Sequence, residues 1–401
     1  MYVHIARQPI FDAHKKLFAY ELLFRQTLGL NLGELSGDRA TTSLLSTTFL
    51  TEGIEKIAGN KPCFINFTKN LLVKEIANFF PKNKVIVEIL EDVPPTDEVM
   101  GACRSLSQLG YQIALDDFIF KKNLLPLIEL SHIIKFDYRL STSDEIERTL
   151  HRLAHYDLKF LAEKIETYKE FEHASKLGFH YFQGYFFARP ESVRLKEVSS
   201  IKTNQLRLLA EVNKRHTTLD NLEKIIESDV AIAYKLLRYI NSAYFFLLNK
   251  VDSIRQAITY LGEREIRRFV TLVIISELAM NKPVELVRLS VIRARFCELL
   301  AEDCHFPTDA SELFLLGLFS LIDAILDTPM GLMMAKLPLS DEIKAALTGQ
   351  QGPLTPFLQA VIAYEQGKPN ECLQALYALK VDPKKVYDMY LAAIKFSALI
   401  D

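Results

Sequence analysis

Ile113-Ala114-Leu115-Asp116-Asp117-Phe118 places two adjacent carboxylates at the end of a short apolar run. Two like charges this close are costly unless a cation lies between them, so the pair is suited to holding a metal ion. An Asp opening the next helix as its N-cap is the plainer reading of the pair taken alone. The pattern recurs, however. Phe18-Ala19-Tyr20 runs into Glu21, Cys63-Phe64-Ile65 into Asn66, Val85-Ile86-Val87 into Glu88, His132-Ile133-Ile134 into Lys135, Phe160-Leu161-Ala162 into Glu163, and Tyr181-Phe182 into Gln183. Oxygen ligands of this kind suit Mg²⁺ or Mn²⁺, and a lysine desolvated among cations can have its pKa lowered enough to take a proton. A purely structural Lys135 is the alternative, with the surrounding acids as its partners.

Each polar residue ends an apolar stretch of strand length, and a helix-length segment separates most of them. This is how a β/α barrel presents its chemistry, with functional groups at the C-terminal ends of several strands. Residues 1–27 read as a hairpin, with Val3-His4-Ile5 and Leu17-Phe18-Ala19-Tyr20 joined through Asp12-Ala13-His14-Lys15-Lys16. Arg25, after the second of these strands, can grip a phosphate with its planar guanidinium or serve as an ordinary salt-bridge partner.

The 401 residues suffice for two or three domains, and 49% hydrophobic with 24% charged residues is ordinary for a globular protein. A formal net charge of -2 gives no global attraction to nucleic acid or to an anionic membrane. No apolar run is long enough for a signal peptide or a membrane span, and Cys63, Cys103, Cys297, Cys304 and Cys372 are scattered without CxxC spacing. Buried, reduced thiols and a cytoplasmic location are expected, with no membrane and no direct nucleic-acid partner.

The ordered set Gln8-Pro9-Ile10, Glu21-Leu22-Leu23-Phe24-Arg25, Asn66, Glu88-Ile89-Leu90-Glu91, Asp116-Asp117-Phe118, Lys135-Phe136-Asp137, Glu163-Lys164-Ile165-Glu166-Thr167 and Gln183-Gly184-Tyr185 resembles the EAL domain. That family hydrolyses the bacterial messenger cyclic di-GMP to the linear dinucleotide. The resemblance implies that Glu21, Asn66, Glu88 and Asp116 surround one divalent cation and that Asp117 contacts a second. Glu163 would hold a metal-bridging water, Lys135 would sit beside the attacking water, and Gln183 would orient water or phosphate. Gln8 and Arg25 fall to the substrate, while Glu91 and Glu166 support the ligands.

Two departures from the family bear on activity. The family's Asp-Asp-Phe run continues as a Gly-Thr-Gly type loop, whereas this chain reads Ile119-Phe120-Lys121-Lys122-Asn123. Without glycine such a loop does not readily reach positive φ. The region between Arg25 and Asn66 is short, and Gly37-Asp38-Arg39-Ala40-Thr41-Thr42 reads as a helix start, so the barrel is trimmed.

A boundary is expected near Arg189-Pro190-Glu191-Ser192, giving a barrel domain over 1–192 and a helical domain over 193–401. The second half has helical periodicity, as at Leu206, Leu209 and Val212, and at Leu222, Ile225 and Ile226. Glu227-Ser228-Asp229 caps an amphipathic helix that runs to Ile240-Asn241-Ser242-Ala243-Tyr244-Phe245. With Val251-Asp252-Ser253-Ile254-Arg255-Gln256-Ala257-Ile258 and Tyr260-Leu261-Gly262, this resembles the HDOD domain, a relative of HD-type metal phosphohydrolases without their metal ligands. Gly317-Leu318-Phe319-Ser320-Leu321-Ile322-Asp323 stands where an HD enzyme carries Gly-Leu-Leu-His-Asp, with Ser320 and Leu321 replacing the His-Asp pair. After position 200 only His216 and His305 are histidines, too few for a multi-histidine centre. Arg264, Arg267 and Arg268 form a basic patch that could meet acidic partners or nucleic acid, but a solvated helix face diluted by Glu263 and Glu265 is the simpler reading.

The fold expected is therefore α/β plus all-α, a trimmed TIM-type barrel followed by an HD-related helical domain. The favoured function is a cyclic di-GMP phosphodiesterase using Mg²⁺ or Mn²⁺ in a two-metal site, with an unidentified protein partner on the helical domain and a homodimer compatible with the chain. The alternative is a degenerate cyclic di-GMP receptor or scaffold. The expectation common to both is that side chains from Glu21 through Gln183 converge on one cavity.

Overall fold

A computed structural model of the chain describes residues 3–26, 54–140, 142–189, 200–213, 218–241, 250–304, 309–335 and 337–398. The chain divides into two compact units, the first comprising Met1–Arg189, Ile362–Gln374 and Asp382–Leu391, the second Pro190–Val361, Ala375–Val381 and Ala392–Asp401.

The first unit is a closed eight-stranded barrel: β1 (Val3–Asp12), β2 (Leu17–Gln26), β3 (Cys63–Phe67), β4 (Val85–Ile89), β5 (Gln112–Leu115), β6 (Ile133–Asp137), β7 (Lys159–Glu163) and β8 (Tyr181–Gln183). β2 through β8 pair in parallel, while β1 runs antiparallel to both its neighbours and closes the ring. The expected hairpin is present, but its strands are ten residues each, and β1 is a stave of the barrel. Trimming has not cost a strand. The Gly37–Thr42 helix start lies outside the described residues.

Alternation of side chains along each strand sorts them into an inner and an outer set. Ile10, Ala19, Phe64, Ile86, Ala114, Ile133 and Leu161 form one buried apolar layer inside the barrel. Two residues further toward the C-terminal rim the inward positions are Glu21, Asn66, Glu88, Asp116, Lys135, Glu163 and Gln183, joined by Gln8 from the reversed β1. Register brings neighbours level, with Gln8 opposite Glu21 and Asn66 opposite Glu88. The apolar layer thus forms the floor and the polar layer the chamber above it.

The outward faces are covered by helices whose starts the sequence encodes. Thr96, Thr142 and Thr167 cap the helices Asp97–Leu109, Ser143–Leu153 and Tyr168–Lys176, the last two by capping boxes with Glu145 and Glu170. The second unit contains the helices from Ser200–Val212 through Asp341–Leu347. Asp229 caps Val230–Ile240 through a 3.2 Å bond from the Ile232 amide, as expected. Residues 242–249, His216 and His305 lie outside the described residues. Helix Ile254–Leu278 is broken at Gly262, where φ is +76°. Helices Val284–Asp303 and Ala310–Phe319 press together so closely at Gly317 that a Cβ there would sit 2.3 Å from the Arg293 carbonyl oxygen. Cys63, Cys103, Cys297 and Cys372 are buried, and burial pushes the Cys63 thiol up to about 12, which keeps it inert. Among the described residues no helix is long and apolar enough to cross a membrane.

Candidate active site

The centre of the polar layer is Lys135, whose side chain is 1% exposed. Its Nζ donates to Glu88 Oε1 and to Asp116 Oδ1 at 3.0 Å, and forms ion pairs with Glu163 Oε1 at 2.7 Å and Glu21 Oε2 at 3.6 Å. Four carboxylates from β2, β4, the end of β5 and β7 therefore share one ammonium group. Gln183 Nε2 extends the ring, donating to Glu21 Oε2 at 2.5 Å and to Gln8 Oε1 at 2.9 Å.

Backbone pairing fixes the rim where the acids emerge. The Asp116 amide donates to the Ile89 carbonyl at 2.9 Å and the Phe118 amide to the Lys135 carbonyl at 2.9 Å. Asp117, pinned between them, takes φ +38°, a left-handed conformation that Asp tolerates better than most residues. Beyond it no residue from Phe118 to Leu124 has positive φ, as the missing glycines led one to expect.

Electrostatics divide the ring. Burial raises Glu88 well above the usual carboxylate range against the pull of Lys135, and burial raises Glu163 to about 8. Burial also acts on Asp116, but the Lys135 ammonium and hydrogen bonds involving Glu88, Lys135 and the Asp117 amide outweigh it and hold the group low. Burial acting alone would lower Lys135; Glu163, Glu21, Glu88 and Asp116 instead hold it well above its ordinary value. A lowered pKa is expected for a lysine among cations; beside these four carboxylates alone the shift runs upward.

The donor set fits a hard divalent cation. It is all oxygen, and its four formal negative charges face one positive charge. Asn66 Oδ1, Glu88 Oε2 and Asp117 Oδ1 are buried without a hydrogen-bond partner. Such orphaned acceptors are costly unless something binds them. Carboxylate oxygens of Glu91, Asp116 and Asp117 also lie within 4.8 Å of one another, beside a cavity of about 100 Å³ that Lys121 and Leu127 help to line. That volume is too small for a nucleotide and large enough for an ion with a few waters.

Some expected members lie elsewhere. Glu166 pairs with Arg139 at 2.9 Å and Arg189 at 2.8 Å, and its amide donates to Glu170 at the start of the next helix. The side chain of Arg25 lies outside the described residues. Asp137 was not singled out, yet it is 5% exposed, accepts from the Arg139 amide at 2.8 Å and pairs with Lys164. Its signal was legible, since Asp137 follows Lys135 by two and so shares its face of β6.

In the second unit, Glu263 pairs with Arg267 at 2.6 Å and Glu265 with Arg268 at 2.9 Å, as expected, and Arg264 is half exposed, but Arg268 is not solvated. Arg264 reaches Glu298 at 2.7 Å, Arg268 binds the same carboxylate, and Arg295 joins it at 2.5 Å, with Glu298 fully buried. Arg268 also lies 4.5 Å over the Phe314 ring. Ser320, at the position of the HD histidine, accepts from buried Arg293 at 3.3 Å and donates to the Gly317 carbonyl at 2.7 Å. A guanidinium beside a hydroxyl offers no metal ligand set there.

Comparison with known proteins aligns both halves with described families. The EAL domain model matches residues 55–190 and the HDOD domain model residues 198–326. YuxH of Bacillus subtilis (strain 168) is 35% identical over 404 residues, covering 99% of this chain and 98% of that protein. The cyclic di-GMP phosphodiesterase CdgJ of Vibrio cholerae serotype O1 is 37% identical over 387 residues, covering 94% of this chain and 89% of its own. Among solved structures, a calcium and cyclic di-GMP complex of Klebsiella pneumoniae BlrP1 is 20% identical with a TM-score of 0.39, covering 47% of this chain and 56% of that one.

Proposed function

The chain belongs to the family in which an EAL domain is followed by an HDOD domain, and from that premise we propose that it is a metal-dependent cyclic di-GMP phosphodiesterase. The observation that carries the reading is the single layer formed by Glu21, Glu88, Asp116, Lys135 and Glu163, with Asn66 Oδ1 and Glu88 Oε2 unpartnered beside it.

Hydrolysis here forms a bond from water oxygen to phosphorus and breaks one phosphodiester P–O bond, the departing oxygen leaving with a proton and the ring opening to a linear dinucleotide. Glu21, Asn66, Glu88 and Asp116 would hold one Mg²⁺ or Mn²⁺, and Asp117 with Glu91 a second. Bound there, such ions polarise the phosphoryl oxygen and make water nucleophilic near neutral pH. Glu163, with its elevated pKa, is suited to hold a water and pass a proton. Gln183, fixed by Gln8 and Glu21, presents its unpartnered Oε1 as an acceptor that orients a water. Lys135 supplies positive charge against the negative charge that develops at phosphorus.

The loop after Asp117, with no positive φ before Leu124, favours a second reading, in which the barrel binds the nucleotide as a receptor without cutting it. The helical domain serves as an interaction module for a protein partner. Titrating the protein with cyclic di-GMP, with and without Mn²⁺ or Mg²⁺, and separating the products decides between the two. Metal-dependent linear dinucleotide supports the enzyme; saturable binding without product supports the receptor.

A further inference from the structure

The ammonium of Lys135 and a divalent cation would compete for the same oxygens. Glu88 and Asp116 accept hydrogen bonds from Nζ, Glu163 lies 2.7 Å away and Glu21 3.6 Å. Three of these, Glu21, Glu88 and Asp116, belong to the set proposed to hold the inner cation. Mg²⁺ binds carboxylate oxygens at about 2.0–2.1 Å, well inside the distances at which an ammonium can share them. Two cations in a chamber where the Lys135 side chain is 1% exposed repel strongly, because water screens them poorly there.

We propose that Lys135 is the resident counter-ion of the carboxylate ring and must withdraw before a divalent cation can bind, so that metal loading and release of the Lys135 ammonium are one event. The inference rests on the phosphodiesterase reading only for its consequence in turnover. Lys135 holds Glu21, Glu88, Asp116 and Glu163 together without metal, offsetting the repulsion among carboxyl groups crowded into one chamber. The same contacts weaken metal affinity, because Glu21, Glu88 and Asp116 must give up their ion pairs with Lys135 to serve as ligands. Once withdrawn, Lys135 is tethered by β6 beside the chamber, where the reaction needs a positive charge. The device makes a metal-free protein both folded and inactive.

The test is calorimetric titration of the metal-free full chain with Mn²⁺, without nucleotide, comparing the wild type with Lys135→Met. The variant is expected to bind Mn²⁺ about tenfold or more tightly than the wild type. Equal or weaker binding by the variant overturns the proposal, as does failure of both proteins to bind Mn²⁺. Lys135→Met leaves the acids without their cation and can fail to fold without metal. A second measurement therefore uses folded wild type: lysine-selective isotope labelling, with the Lys135 side-chain resonance identified as the one lost in Lys135→Arg. Saturating Mg²⁺ is expected to shift that resonance away from its buried, ion-paired position; an unchanged resonance overturns the proposal. Metal binding of the predicted kind without linear dinucleotide supports the counter-ion role and defeats the phosphodiesterase reading alone.

Discussion

Lys135 and Glu163 stand on adjacent parallel strands and meet inside the barrel, with Nζ 2.7 Å from Oε1. The contact joins a fixed positive charge to a carboxyl that burial pushes up to about 8. Lys135 is already shared with Glu21, Glu88 and Asp116, so it cannot fully compensate Glu163.

Glu163 therefore gives metal-free protein a definite pH dependence. A group whose folded pKa lies above its unfolded value contributes stability that is fully present below the unfolded pKa and lost as pH rises through the folded one. Stability in EDTA should accordingly fall between about pH 4.5 and about pH 8. Glu163→Gln, uncharged at every pH, should remove that share of the decline, so that its melting temperature gains on the wild type toward pH 8. Parallel melting profiles of the two proteins would contradict the assignment.

Glu88 is fully buried and contributes both an oxygen to Lys135 and an unpartnered one. Glu88→Gln keeps the shape and removes the charge. Turnover of cyclic di-GMP should fall by about 100-fold or more and Mn²⁺ binding should weaken, with circular dichroism unchanged. Wild-type turnover in Glu88→Gln would exclude Glu88 from the metal set.

Gly184 follows Gln183 with φ +141°, and a Cβ there would lie 2.0 Å from the Ile165 carbonyl oxygen. That carbonyl accepts from the Phe186 amide, and the Ile165 amide donates to Gln183. Gly184→Ala must move backbone on both sides and should cost about 1–3 kcal/mol or more. Because Gln183 moves with it, the loss should appear in turnover as well as in denaturant midpoint.

Glu298 holds Arg264, Arg268 and Arg295 from a fully buried position. Glu298→Ala leaves three guanidinium groups around an empty site, two of them mostly buried, and should destabilise the protein by about 3–5 kcal/mol. Urea denaturation measures this; a change under 1 kcal/mol would mean the network is not what holds those helices.

The strand ends were legible because alternation with period two writes the inner face of a barrel directly into the sequence, and seven polar residues fell on it in order. β1 was read only as half a hairpin because it runs backwards, so Gln8 lies inside the strand and not at its end. Acids as the partners of Lys135 were one of the two readings open for that residue. Which of them reach its Nζ was not legible, because that depends on strand register. Glu166, expected only to support the ligands, pairs with Arg139 and Arg189. Glu298 was invisible from Arg264 and Arg268 because it approaches them from a different helix.

The central claim is that this ring of oxygens holds divalent cations and opens a cyclic dinucleotide. The most direct measurement is the rate of linear dinucleotide formation from cyclic di-GMP by protein stripped with EDTA and then reloaded with Mn²⁺ or Mg²⁺, alongside Glu21→Ala. The account predicts product that disappears on stripping, returns on reloading and is absent from the variant. No linear product at any metal concentration, or the same rate from Glu21→Ala, would contradict it.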